Sequence, residues 1–198
     1  MHDLPQNLFF LCGPHGAGKT TLSHRIKEAL PNVVLPELET RVCRLDTSPL
    51  ERITLKLCER ALENFEAVQL ARQLPDKIIL ANRCIYDGDT YARAYHDLDW
   101  ISEEEYHVLH QTARIVFPKD VREPRAIVLN PPSSLVLERV RGRWETERKK
   151  WREEDTAYCK AVRAEYTLFR DNPNILYLED STYVEPVISW LKDRYTVV

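Results

Sequence analysis

The sequence predicts an α/β domain in which helices cover both faces of one doubly wound, parallel sheet of five strands. Three observations carry this. Short apolar runs alternate with longer segments of helical periodicity along the whole chain. The first run, Leu8–Cys12, is apolar at every position, as a strand covered on both faces must be. The 198 residues suffice for one core, and no linker, repeat or low-complexity tract divides them, so residues 1–198 are read as a single domain.

The elements follow in order. After the strand at 8–12 comes a glycine-containing loop, then helical spacing over 20–30 that stops at Pro31. Val33–Leu35 reads as a brief second strand closed by Pro36. A long helix is expected over 49–74, with Leu50, Ile53, Leu57, Ala61, Leu62, Phe65, Val68 and Leu70 on or near one face, broken by Pro75 and Asp76. Lys77–Ala81 is the third strand, and a mixed polar segment follows Asn82. The next helix, Ser102–Phe117, opens on a capping box in which Glu105 stands three residues after Ser102. Arg125–Asn130 is the fourth strand, ended by Pro131 and Pro132; a helix begins at Ser133 or Ser134 and runs into a charged stretch over 139–152. A further helix over 154–169, a fifth strand over 174–178 and a last helix over 184–194 complete the chain.

Composition bounds the function. With 43% hydrophobic and 30% charged residues the chain is globular, and a net charge of -3 gives no global field toward nucleic acid or anionic membrane. The five cysteines are scattered without a CxxC pair, which argues against a disulfide framework or zinc site and for a reduced, cytoplasmic setting. No apolar run approaches the length needed to span a bilayer, and the N-terminus lacks the pattern of a signal peptide.

The strongest motif is Gly13-Pro14-His15-Gly16-Ala17-Gly18-Lys19-Thr20, which satisfies GxxxxGK[ST] between an apolar strand and a helix. Glycines let the backbone wrap phosphates with its N–H groups inward, at a helix N-terminus whose dipole favours anions. Lys19 is expected to reach the β and γ phosphates, Thr20 to ligate Mg²⁺, and Thr21 to border the same phosphates. The motif makes the chain a nucleotide binder with ATP and Mg²⁺ as its expected ligands, and leaves switches, motors and kinases open.

Downstream segments resemble the deoxynucleoside kinase and thymidylate kinase group of P-loop kinases. Leu35-Pro36-Glu37-Leu38-Glu39 leaves the second strand as the Pro-Glu-Pro segment of deoxynucleoside kinases does, and the resemblance makes Glu37 the base that accepts the acceptor's hydroxyl proton. Asn82-Arg83-Cys84-Ile85-Tyr86-Asp87 is similar to the Glu-Arg-Ser or Asp-Arg-Tyr signature, whose arginine lies beside donor and acceptor phosphates; Arg83 matches it, while Asn82 replaces the acid, so that metal-water contacts would pass to Asp87, to Glu37 or to no protein carboxylate at all. The run from Tyr91 to Tyr106 resembles the helical stretch after that signature. Val128–Pro132 followed by Leu137–Arg143 resembles the fourth strand and arginine-rich lid, with Arg139, Arg141, Arg143 and Arg148 as lid candidates over about 139–152. Guanidinium forks suit a transferring phosphoryl group independently of that likeness, although Glu138, Glu145 and Glu147 also fit a solvated charged helix face. For base recognition the nearest matches are Phe65-Glu66 and Gln69, and the resemblance extends to a homodimer.

The expected function is transfer of the γ-phosphate of ATP to the 5′-hydroxyl of a (deoxy)nucleoside or related small acceptor. Glu37 would act as base, with Lys19, Arg83, Arg139 and Arg143 at the phosphates and Glu66, Gln69, Arg83 and Asp87 at the acceptor. Three alternatives stand beside it. A nucleoside monophosphate kinase needs a further cation, for which Arg41 and Arg72 offer themselves. A polynucleotide 5′-hydroxyl kinase would use the basic run 139–152 with Trp144 and Trp151 stacking on bases. A nucleotide-binding module would turn over little, although the chain carries neither an Asp-x-x-Gly switch nor an Asn-Lys-x-Asp segment.

Overall fold

A computed structural model describes residues 5–36, 47–145, 151–180 and 182–195. In chain order the elements are β1 (Leu8–Cys12), α1 (Lys19–Ala29), β2 (Val33–Val34), α2 (Pro49–Gln73), β3 (Ile78–Asn82), α3 (Ile85–Asp97), α4 (Glu103–Val116), β4 (Ala126–Leu129), α5 (Ser133–Arg143), α6 (Thr156–Thr167), β5 (Ile175–Leu178) and α7 (Val184–Arg194). The sheet has the five expected strands, all parallel, in the order β2-β3-β1-β4-β5.

Every residue of β1 is buried, and alternate side chains feed opposite faces. Leu8, Phe10 and Cys12 join a core built with α2, α3, α4 and α6; Phe9 and Leu11 pack with Leu22 and Ile26 of α1 and Val187 and Leu191 of α7. The strand order reverses at β1, so the carboxyl ends of β1 and β3 border the crevice where open α/β sheets take their ligands.

The caps are those the chemistry demands. α4 carries the expected box: the amide of Glu105 donates to Ser102 Oγ at 3.2 Å and the amide of Ser102 to Glu105 Oε2 at 2.7 Å. α2 has the same device at Ser48 and Glu51, with Pro49 as its first residue, and runs for 25 residues. Two expectations change. Leu62 and Phe65, placed on the apolar face of α2, are 46% and 54% exposed; the inward stripe is Ile53, Leu57, Ala61, Val68 and Ala71. The stretch after Asn82, read as mixed polar, is helix α3 with Asp87, Gly88 and Thr90 buried. Polar residues hide the period there because their partners come from other elements. Gly88 lets α2 approach, since a Cβ at that position would stand 3.0 Å from Leu57 Cδ1.

Candidate active site

The phosphate loop joins the end of β1 to α1, and its shape is forced by its glycines. Gly13 has φ 138°, and a Cβ on it would stand 2.1 Å from the carbonyl oxygen of Leu129, so only glycine lets the loop turn across β4. Gly16, at φ 74°, lies under α5, where a Cβ would meet Val140 Cγ2 at 2.8 Å. Gly18 precedes α1 in the left-handed region, and no side chain caps that helix N-terminus. The first turn of α1 thus presents its amides at the loop, with Thr20 and Thr21 exposed. The Lys19 ammonium folds back to donate to the carbonyl oxygens of Gly13 and Pro14, both at 2.8 Å. Burial, and then the nearby Arg83 guanidinium, hold its pKa well below the usual lysine range. An anion in the loop would relieve that repulsion. These features fit the polyphosphate of a nucleotide, and Thr20 is exposed beside them on the first turn of α1.

Across the crevice, Arg83 is buried at the carboxyl end of β3 with φ 68°. A left-handed non-glycine residue costs on the order of 1–3 kcal/mol and persists only where its surroundings over-determine it. Here they do. The Arg83 amide donates to the carbonyl of Leu11 at 3.0 Å, and Asn64 Nδ2 of α2 donates to the Arg83 carbonyl at 3.1 Å. The side chain donates through Nη1 to Asp87 Oδ1 at 2.7 Å and to Tyr91 Oη at 3.4 Å, while Nη2 stands 3.5 Å from Nδ1 of His15 in the phosphate loop.

Asp87 is 2% exposed and collects further donors. Tyr166 Oη gives to Oδ1 at 2.5 Å, the Cys84 amide to Oδ2 at 3.0 Å, and the Gly13 amide reaches Oδ1 at 3.4 Å. Burial alone would raise its pKa; the Arg83 charge, followed by the donors Tyr166 and Cys12, outweighs burial and holds it below the usual carboxylate range. Expected to face the acceptor or a metal-bound water, Asp87 is instead turned into the protein, its oxygens taken by internal donors. Cys12 and Cys84 lie beside it with their sulfurs 3.3 Å apart.

The buried face of α2 carries charge. Glu66 and Phe65 are exposed and Gln69 is half-buried, whereas Glu59, Glu63 and Asn64 are buried. Lys56 pairs with Glu59 and Arg60 with Glu63, each one helical turn apart. The Arg60 charge is felt at Lys19 and Tyr91, which places it on the site side. Burial raises the pKa of Glu63, with Arg60 opposing. Charged pairs at i,i+3 inside an apolar-periodic helix were the signal available for Lys56–Asn64. For Tyr166, a residue of α6 distant in sequence, there was none.

On α5, Arg139 Nη1 donates to the carbonyl of Ala17 in the phosphate loop at 2.9 Å and lies 3.9 Å from Asp180. Arg143 is engaged with Glu153, whose side chain is 0% exposed and which also accepts from Trp144 Nε1 at 2.8 Å. Trp151 is buried in an aromatic cluster with Tyr95, Trp100 and Tyr158, and Arg152 caps it 4.2 Å above the Trp100 ring. The two tryptophans considered for base stacking thus have partners inside the protein. Glu37, Arg41 and Arg148 lie outside the described residues. No described helix is long and apolar enough to cross a membrane.

The fold is similar to that of deoxyadenosine kinase from M. mycoides. With bound dATP that structure superposes at TM-score 0.70 and 15% identity, covering 94% of this chain and 97% of that one. With bound dCTP the values are TM-score 0.60 and 16% identity over 94% and 99%. No curated protein matches the sequence. A family model described as an AAA domain matches residues 8–174, from the first residue of β1 through the fourth strand to the threshold of β5. The chain therefore belongs to the AAA-domain family, and its phosphate loop sits in a P-loop nucleotide-binding fold.

Proposed function

We propose that the protein is an ATP-dependent kinase that transfers the γ-phosphate to the 5′-hydroxyl of a (deoxy)nucleoside or a related small hydroxyl acceptor. The observation that carries this is Arg83, a buried guanidinium held in a left-handed backbone with its Nη2 edge turned to the phosphate loop. A cation fixed there meets the charge that spreads over the oxygens of a transferring phosphoryl group without reorganising as it forms. Lys19 would leave the loop carbonyls for the β and γ phosphates. Arg139 stands against the loop as the lid-side candidate, and Arg143 contributes only where its pair with Glu153 opens. Thr20 would hold Mg²⁺, which would supply positive charge to neutralise part of the phosphate charge. Glu37, the residue after Pro36 at the exit of β2, is the proposed base for the acceptor proton. On the acceptor side Glu66, Gln69 and Arg83 remain the candidates for contact; Arg60, Glu63 and Asn64 join them from the inward face of α2. The likeness to deoxyadenosine kinase, a fold-level analogy, agrees with this reading.

A second reading, a nucleoside monophosphate kinase, needs a further cation, for which Arg60, paired with Glu63 on α2, is a candidate. One assay decides: purified protein with labelled ATP and Mg²⁺ against nucleosides, deoxynucleosides, their monophosphates and a 5′-hydroxyl oligonucleotide. Label on a nucleoside supports the proposal. Label only on a monophosphate or on the oligonucleotide replaces the acceptor, and binding of ATP without transfer to any of them refutes the kinase.

A further inference from the structure

Asp87 is the one carboxylate that the described residues bring to the phosphate loop from inside the fold. Its Oδ1 is shared by Arg83 at 2.7 Å, Tyr166 at 2.5 Å and the Gly13 amide at 3.4 Å, and its Oδ2 accepts the Cys84 amide at 3.0 Å. Four parts of the chain thus converge on one side chain: the first residue of the loop, the turn after β3, the start of α3 and the end of α6. At 2% exposure it has no surface with which to meet a nucleotide. What it does hold is one edge of Arg83. With Nη1 committed to Asp87 and Tyr91, the guanidinium plane is set, and Nη2 is the edge facing His15 and the loop.

We propose that Asp87 is the positioning residue of this site, acting through Arg83: it fixes the guanidinium against the phosphate loop, and Tyr166 fixes Asp87. Planar, forked donors lose their advantage over a point charge once their orientation is free, so the carboxylate converts a buried cation into an aimed one. The Gly13 contact ties the same oxygen to the loop that Arg83 must address, which keeps cation and phosphate in register. Tyr166 adds a third fixed point from α6, and its hydroxyl can be removed without disturbing the ring in the core.

This rests on the nucleotide-binding reading, and its test separates the two. A double-mutant cycle of Asp87→Asn and Arg83→Ala is read in the affinity for ATP relative to ADP by titration calorimetry and, where transfer occurs, in kcat and KM. Each single change should lower the ATP preference, and Asp87→Asn should cut kcat about 100-fold while KM for ATP moves less than about threefold. The double variant should be no worse than Arg83→Ala alone, because a residue acting only through Arg83 has nothing left to orient. Effects that multiply would overturn the proposal, since a carboxylate that merely holds the fold together acts whether or not Arg83 is present. If Asp87→Asn does not fold, Tyr166→Phe carries the same cycle, with about tenfold expected in the wild-type background and none beside Arg83→Ala. Protein that prefers ATP but transfers nothing fails the kinase reading alone, and the affinity cycle still decides the role of Asp87. Protein that binds neither nucleotide overturns both.

Discussion

Arg83 and Arg143 are the same residue type, each paired with a buried carboxylate, and they are held for different ends. Arg83 pairs with Asp87 in the core, yet keeps one edge toward the phosphate loop. Arg143, on the last turn of α5, closes on the buried Glu153, together with Trp144. An arginine at the carboxyl end of a central strand faces the ligand crevice because every strand of a parallel sheet ends there. An arginine at a helix end faces whatever its chain neighbours bring, and here they bring an acid. Residue type alone does not make a phosphate contact; the partner on the other edge does.

The largest effect that separates the regions is expected from Gly13→Ala. Its Cβ would need to occupy the space of the Leu129 carbonyl, so the loop cannot close and nucleotide binding should vanish in calorimetry, even if the sheet still forms. Lys19→Ala leaves the loop intact and should slow transfer roughly 1,000-fold in a labelled-ATP assay, the scale of removing one donor to developing charge. Arg143→Ala should act on stability instead. Stranding Glu153 without its guanidinium costs about 3 kcal/mol, which for a chain of this size lowers Tm by about 6–12 °C in calorimetry. The smallest effect is in acid. Asp87 has a depressed folded pKa, so its contribution to stability is present above the unfolded value and lost as pH falls through the folded one. Wild type should therefore lose stability below about pH 4 more steeply than Asp87→Asn in denaturant titrations at stepped pH.

The fold was legible because its signals are local. An all-apolar β1, a strand–glycine–helix motif and the Ser102–Glu105 cap each state their geometry within a few residues. The phosphate loop was legible for the same reason at Gly13 and Gly18, whereas Gly16, a free position of the motif, shows its need for glycine only against Val140 of α5. The opposite wall was legible only in part. Arg83 was visible as a motif, but its left-handed backbone and its clamp from Asn64, Asp87 and, through Asp87, Tyr166 come from α2, α3 and α6, with 79 residues between Asp87 and Tyr166 alone. On α2 the helix turns Phe65 and Glu66 outward and Glu63 and Asn64 inward, which the apolar period does not show because it counts Leu62 and Phe65 with the core.

The most direct measurement is single-turnover phosphoryl transfer by Arg83→Ala and Arg143→Ala, side by side, at a temperature where both are folded. Arg83→Ala should be slower than wild type by at least about 100-fold, and Arg143→Ala should stay within about tenfold of wild type, although each change strands a buried carboxylate and lowers Tm. The reverse order would contradict the central claim, because it would put the transition-state cation in the lid and leave the buried arginine a structural ion pair.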